Sequence, residues 1–400
     1  MIQQAFASLK VLDCTETVAG AYCTKLLAEL GAEVIKIERP GGNPFRQTGP
    51  FMGDEPHPEK SLVFFYLNTN KKSITLNLKV ETGKRIFRKL AKGADVVVES
   101  FTSGTMRELG LSYGELKNLN PRLVMVSISG FGQTGPYRGF KFTNLTLSAL
   151  GGIMYTMRPA DKPEETPVVQ GGMQAEYITG LLSFIATAAA LIKRAHSGNG
   201  TWVDISAMEC VASTLTGIAA EYPYIGLSRR TQPLPIHGYP GMYNYPCRDG
   251  WVNPTPGVGG APAIAFLIGK PELQDTPIFT EPSTRMEEPK KFDELVMPYM
   301  RERSKWEITK EAQELRLAFA PILSPKELQD DEQLRVRDFF VTAEHPYMGR
   351  VTYPGLPVKS TEISQKSGRA PLLGEHSEEI YAQLGYSRKE LCKLRELGVI

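Results

Sequence analysis

The chain has 400 residues, 42% of them apolar and 22% charged, which excludes a disordered, fibrous or coiled-coil polypeptide and leaves room for two or three domains. Its 46 basic and 44 acidic side chains give a formal charge of +2, so no whole-molecule field draws it to nucleic acid or to an anionic membrane. Five cysteines without C-x-x-C spacing read as reduced, packed thiols, and Met1–Cys14 lacks the basic-then-apolar pattern of a signal peptide, so the expected location is the cytoplasm.

Taken in order, Lys10–Cys14 reads as a short apolar strand and Ala19–Leu30 as a helix, with apolar residues at helical spacing until Gly31 stops it. Ala32–Glu38 follows as a second strand. Strand, helix and strand within about thirty residues make a βαβ unit, which forces a parallel sheet with a right-handed crossover. The pattern repeats with a strand over Lys72–Leu78, a helix over Val80–Lys92 and strands over Ala94–Glu99 and Leu123–Ser129. Continuous apolar runs such as Val96–Val98 and Leu123–Val126 are what strands buried on both faces require. Helices are expected over Leu145–Tyr155 and Ala175–Lys193. The uncharged run Tyr177–Ile192 inside the second falls short of the ~20 residues that span a bilayer and reads as a buried helix.

A glycine-containing turn at His196–Gly200 leads to a strand over Thr201–Ser206. Residues 222–260 are dense in proline, glycine and tyrosine and read as a linker and small mixed subdomain, with a strand near Gly250–Val252. Amphipathic helices return over 262–318, residues 331–360 look extended, and Ser377–Leu397 is helical. The expected fold class is α/β, with a large parallel-sheet domain over 1–222, a smaller α+β domain with linkers over 223–330, and a return to the large domain over 331–400.

The first βα turn, Thr15–Ala21, carries only Gly20, so the G-x-G-x-x-G of a dinucleotide site is missing although Glu38 ends the second strand about twenty residues on. Histidines 57, 196, 237, 345 and 376 have no metal-binding spacing, and Ser127–Gly130 is not a nucleophile elbow. Basic residues recur beside strand ends: Arg39, Lys71, Lys72, Arg107 and Lys141. In an open parallel sheet the ligand crevice lies at such ends, so these are either phosphate ligands or ordinary solvated side chains. Glu176 opens the long apolar helix, either as a dipole-matched first-turn residue or as a nucleophilic carboxylate backed by helix amides.

Five segments, in order, resemble the family III CoA-transferases: Gly20 with Leu26–Gly41, Asn70–Ile74, Ser129–Pro136, Gly198–Ser206, and Ala370–His376 with Leu384–Tyr386. The resemblance covers nearly the whole chain. It implies a Rossmann-like large domain, a smaller second domain, and a homodimer of open-ring subunits threaded through each other. Coenzyme A and its thioesters are then substrates, together with a carboxylic acid, and no cofactor is bound permanently. The family's carboxylate, normally aspartate, falls on Glu176 when counted back along the gapless helix from Gly198 and Gly200. Ionised at neutral pH with an ordinary pKa of about 4.3, it would attack an acyl-CoA thioester and pass through a mixed anhydride to a glutamyl-CoA thioester. Val18, Arg39, Lys71, Lys72, Phe101, Arg107 and Lys141 fall at or beside CoA-contacting positions of the family, Val18 where formyl-CoA transferase has glutamine.

Where that enzyme has a glycine-rich loop, this chain has His237–Tyr245. Its Tyr239, Gly241 and Tyr243 are candidate substrate-pocket residues favouring a larger or more apolar acid than oxalate, with subdomain packing as the alternative reading. Glutamate in place of aspartate shifts the carboxylate by about 1 Å or more, which can cost on the order of a hundredfold in rate. Either the pocket is built around the longer side chain, or the chain is a weakly active or non-catalytic CoA-binding subunit paired with a related active one, as in heteromeric members acting on aryl-succinates. The racemase branch of the fold uses a histidine–aspartate pair where this chain has Thr143 and Asn144, neither of which titrates near neutrality.

Overall fold

Six strands form one parallel sheet in the computed structural model, which describes residues 4–157, 166–226, 243–255 and 260–400. They are β1 (Lys10–Cys14), β2 (Glu33–Glu38), β3 (Lys72–Thr75), β4 (Val96–Glu99), β5 (Val124–Ser129) and β6 (Trp202–Ser206). Across the sheet they run β3-β2-β1-β4-β5-β6, a doubly wound order whose winding reverses between β1 and β4. The C-terminal ends of those two strands therefore open the crevice where ligands of such sheets bind.

Helices follow in chain order: α1 (Val18–Glu29), α2 (Leu62–Leu67), α3 (Glu81–Lys92), α4 (Thr105–Glu108), α5 (Tyr113–Leu119), α6 (Asn144–Leu150), α7 (Ile153–Thr156) and α8 (Gln174–Ser197). The single helix expected over 145–155 is two, because Gly152 takes a left-handed φ of 85° and ends the first. One face of the sheet is covered by α3 and the C-terminal helices Ser377–Gln383 and Arg388–Glu396, whose Ile86, Phe87, Leu90, Ile380, Tyr381, Leu391 and Leu394 meet Leu12, Ile35 and Val97. The other face packs Val11, Val34, Val96, Val98, Val124 and Val126 against α1 and α8. Valine-rich strands buried on both sides are why the parallel sheet was legible.

The helix α8 departs from the buried helix expected around Tyr177–Ile192 in its length and its exposure. It is 24 residues, long and apolar enough by length and composition to cross a membrane. Here it packs along α1, β5 and β6. Its small, polar side is the one turned inward: Thr179, Ser183 and Thr187 are buried, and each hydroxyl donates to the carbonyl four residues back. Three of its large apolar side chains, Leu181, Ile185 and Ile192, are 47, 52 and 62% exposed, while Phe184 and Leu191 pack on the core. Close approach to α1 explains the inversion. A Cβ on Gly180 would stand 2.7 Å from the Ala19 carbonyl oxygen, so only small side chains fit at the crossing.

The chain forms two compact units, the first comprising Met1–Met154, Val169–Gly226 and Val336–Ile400, the second Tyr155–Val168 and Leu227–Arg335. In the second, an antiparallel sheet of Tyr245–Cys247, Gly250–Thr255 and Ala318–Pro321 packs with helices around Phe279, Phe292 and Phe319. The stretch expected to be extended over 331–360 begins instead with a short helix, Glu332–Val336, before the hairpin of Phe340–His345 and Gly349–Pro354.

Candidate active site

The β1–α1 turn is held from below by a buried charge cluster. Asp13, fully buried, accepts from the Thr15 backbone N–H at 2.9 Å, the Thr15 hydroxyl at 2.7 Å and the Thr24 hydroxyl at 2.7 Å. Two ammonium groups close on it, Lys36 at 3.2 Å and Lys71 at 2.9 Å. Burial alone would raise the Asp13 pKa, but the two lysines override it and hold the carboxyl far below the usual carboxylate range. Lys36 and Asn43 both donate to the Thr15 carbonyl, each at 2.9 Å, and Ser100 accepts from the Glu16 N–H at 2.8 Å. Every polar group of the turn that is named here is thus spent on a fixed partner.

Above this turn α1 begins. Thr17 is its N-cap, the hydroxyl accepting from Gly20 N–H at 3.2 Å, and no acidic residue stands in its first turn. The anion a helix start favours arrives from 158 residues away: Glu176 Oε2 accepts from Val18 N–H at 2.8 Å and from Ala19 N–H at 3.3 Å. Glu176 is the third residue of α8, and its own N–H donates to Asn144 Oδ1 at 3.3 Å across to α6. Among the described residues no hydrogen bond reaches Oε1 and no cation pairs with the carboxylate. Burial raises the Glu176 pKa, and the two amides oppose that rise. A half-buried carboxylate with one oxygen fixed and the other unengaged can act as a nucleophile while it caps the helix.

The other expected site residues separate. Val18 is buried and contributes its backbone amide. Arg39, Arg107 and Lys141 are exposed, the first following β2 and bonded through Nε to the Gly42 carbonyl at 2.9 Å. Phe101 follows β4, half-buried against the core, its N–H donating to Glu99 Oε2 at 2.8 Å. Arg107 lines a cavity of about 620 Å³ with Glu99, Ser127, Arg138 and Trp202; burial pushes the Glu99 carboxyl up to about 7.

Two lysines stand elsewhere than a ligand site requires. Lys71 is buried, its ammonium donating to Asp13, the Ala21 carbonyl, Thr24 and Asn68, all at 2.8–2.9 Å, so no donor is left for a phosphate. Lys72 opens β3 and pairs with Glu33 and Glu379, turning toward the N-terminal ends of the strands, opposite the crevice. Tyr243 belongs to the second unit, its ring stacked on Tyr245 at 4.8 Å, as the packing alternative expected; Tyr239 and Gly241 lie outside the described residues.

Lys71 and Lys72 stand at the start of β3, whereas the crevice of a parallel sheet lies beyond the carboxyl ends of its strands. Lys79, exposed beyond the C-terminal end of β3, meets that condition and was not singled out. Nor was Asp13, which positions the turn, while Asn144, read only against the racemase branch, positions the start of α8. The carboxyl end of a strand carrying an aspartate was a signal for the first; nothing local signalled the second.

Over residues 6–377 the chain matches CoA-transferase family III. It is 34% identical to a formyl-CoA:oxalate CoA-transferase of Streptomyces coelicolor, with 100% of both chains covered. It is 32% identical to a subunit of the succinyl-CoA:(R)-benzylsuccinate CoA-transferase of Thauera aromatica, covering 99% of this chain and 98% of that one. The crystal structure of a CAIB/BAIF family protein from Brucella suis superposes with a TM-score of 0.84 at 28% identity, covering 96% of this chain and 100% of the other.

Proposed function

Because the chain belongs to CoA-transferase family III and is therefore an enzyme that transfers CoA, we propose that the group it transfers through is Glu176. The observation that carries this is the asymmetric carboxylate: Oε2 held by two helix amides at 2.8 and 3.3 Å, Oε1 without a partner among the described residues.

Oε1 attacks the carbonyl carbon of the acyl-CoA, the carbon–sulfur bond breaks, and CoA thiolate leaves a mixed anhydride on Glu176. The thiolate then adds to Glu176 Cδ. Negative charge develops on Oε2, where the Val18 and Ala19 amides already point, and the free acid departs to leave a glutamyl-CoA thioester. The acceptor carboxylate attacks that thioester, thiolate leaves, and its return to the acceptor's carbonyl yields the new acyl-CoA and regenerates Glu176. Each step is substitution at an acyl carbon, so electrons balance with CoA and two acids alone. Burial of the site limits hydrolysis of the anhydride by water. Arg39, Arg107 and Lys141, with Lys79, are the basic side chains proposed to meet the CoA phosphates, and Phe101 its adenosine part.

The proposed assembly is a homodimer of threaded subunits in the cytoplasm, consistent with reduced thiols and with the uncovered apolar face of α8. A second reading, a CoA-binding subunit paired with a related active one, draws on the glutamate and on the named subunit of the benzylsuccinate enzyme. One experiment decides between them. The purified single polypeptide should exchange labelled CoA between two acids, lose that exchange when hydroxylamine is added with acyl-CoA, and lose it in Glu176→Gln. Exchange that survives in Glu176→Gln rejects the proposal, and exchange that requires a second polypeptide selects the heteromer.

A further inference from the structure

In the anhydride the acyl carbon is bonded to Oε1, so the acyl body must lie against side chains within a few ångströms of Glu176. An apolar group rich in aromatic rings adjoins the residue whose N–H holds Oε2. Val18, whose N–H holds Oε2, is the buried centre of an apolar group that includes Tyr22, Val63, Tyr66, Met173 and Tyr177. Tyr22 comes from α1, Tyr66 from α2, and Tyr177 is the residue after Glu176 in α8. The rings of Tyr22 and Tyr177 meet edge to face at 5.0 Å, and Tyr66 meets Tyr177 at 6.4 Å and 61°.

Two features distinguish this group from ordinary core. All three tyrosines are half-buried rather than enclosed. Their hydroxyls make no hydrogen bond among the described residues, although a tyrosine used for packing normally finds a partner for its O–H. Burial raises the pKa of each, and the Glu176 charge adds to the rise at Tyr177, so all three are neutral donors at physiological pH. An aromatic acid can pack edge to face on such half-exposed rings, in the arrangement they already make with one another.

We propose that Tyr22, Tyr66 and Tyr177 form the acyl-binding surface and select carboxylic acids whose body is an aromatic ring or a comparably bulky apolar group over short acids. This rests on Glu176 as the carrier of the acyl group. A single methylene in an apolar pocket is worth about tenfold or more in kcat/KM, so a whole ring supplies a readable preference.

The test is CoA transfer from one fixed acyl-CoA donor to acetate, succinate, benzoate, phenylacetate and 3-phenylpropanoate. The ring-bearing acids should exceed acetate in kcat/KM by at least about tenfold. In Tyr66→Ala that ratio should fall about tenfold, mainly through a higher KM for the ring-bearing acid, whereas Tyr66→Phe should keep it. Equal or better use of the short acids by the unaltered enzyme overturns the proposal without any variant having to fold. An unchanged ratio in a folded Tyr66→Ala overturns it as well. Failure of the underlying reading looks different: exchange then persists in Glu176→Gln, whatever the acid preference.

Discussion

Two carboxylates lie on opposite sides of the same turn and are treated in opposite ways. Asp13, beneath it, is fully buried with two lysine ammonium groups and three other donors, and its pKa is driven down. Glu176, above it, has two backbone amides and no cation, and its pKa is driven up. The amides carry dipoles rather than charge, so they steady the carboxylate without quenching it. An ion pair would lower the nucleophilicity of Glu176 and would have to be broken in every turnover. The fold therefore places its full charges where nothing reacts and only dipoles where chemistry is proposed.

The contrast can be broken at either end. Asp13→Ala removes the shared anion and leaves Lys36 and Lys71 buried against each other, so denaturant unfolding should show a loss of about 3–5 kcal/mol. A loss below about 1 kcal/mol would mean that the cluster is not what fixes the turn. Glu176→Asp is the complementary change. It withdraws the carboxylate by about 1 Å and should lower CoA exchange roughly a hundredfold with little change in melting temperature, as measured by steady-state exchange and thermal unfolding. Retained or improved exchange would show a pocket indifferent to the extra methylene.

The smallest expected effect is on pH dependence. Only ionised Glu176 attacks, and its pKa lies above its ordinary 4.5, so exchange should fall on acidification along a limb centred above that value. The stability contribution runs the other way. A raised carboxyl favours the folded state below the unfolded pKa and loses that contribution as pH rises through the folded one. Glu176→Gln should accordingly be no less stable than the unaltered protein at neutral pH.

Much of the first unit was legible residue by residue. Val96–Glu99 and Val124–Ser129 announce buried parallel strands by composition alone, and Lys10–Cys14 was bounded to the residue. Boundaries moved where a single glycine or a short strand decided them, as at Gly152 and at β3, which ends at Thr75 rather than Leu78. At the candidate site, Glu176 follows from the family resemblance by counting back along a helix with no gap, and the structure sets its carboxylate on the amides of Val18 and Ala19. Adjacency to a strand did not separate Lys71 from Lys72, because it says nothing of which partners each ammonium meets. Their neighbours in sequence look alike, yet one ammonium is buried against Asp13 and the other is paired at the opposite edge.

By itself the sequence determined the periodicities: which runs are strands, which are helices, and that a carboxylate opens α8. These follow from local spacing and side-chain chemistry, which need no knowledge of what lies across the fold. Only the tertiary structure decided that this carboxylate caps a helix 158 residues earlier, that three tyrosines gather with Val18, whose N–H holds it, and that α8 leaves Leu181, Ile185 and Ile192 exposed. Those outcomes depend on how closely α1 and α8 cross, and that distance is set jointly by Gly180, Ala19 and Tyr22, residues that meet only once the chain has folded.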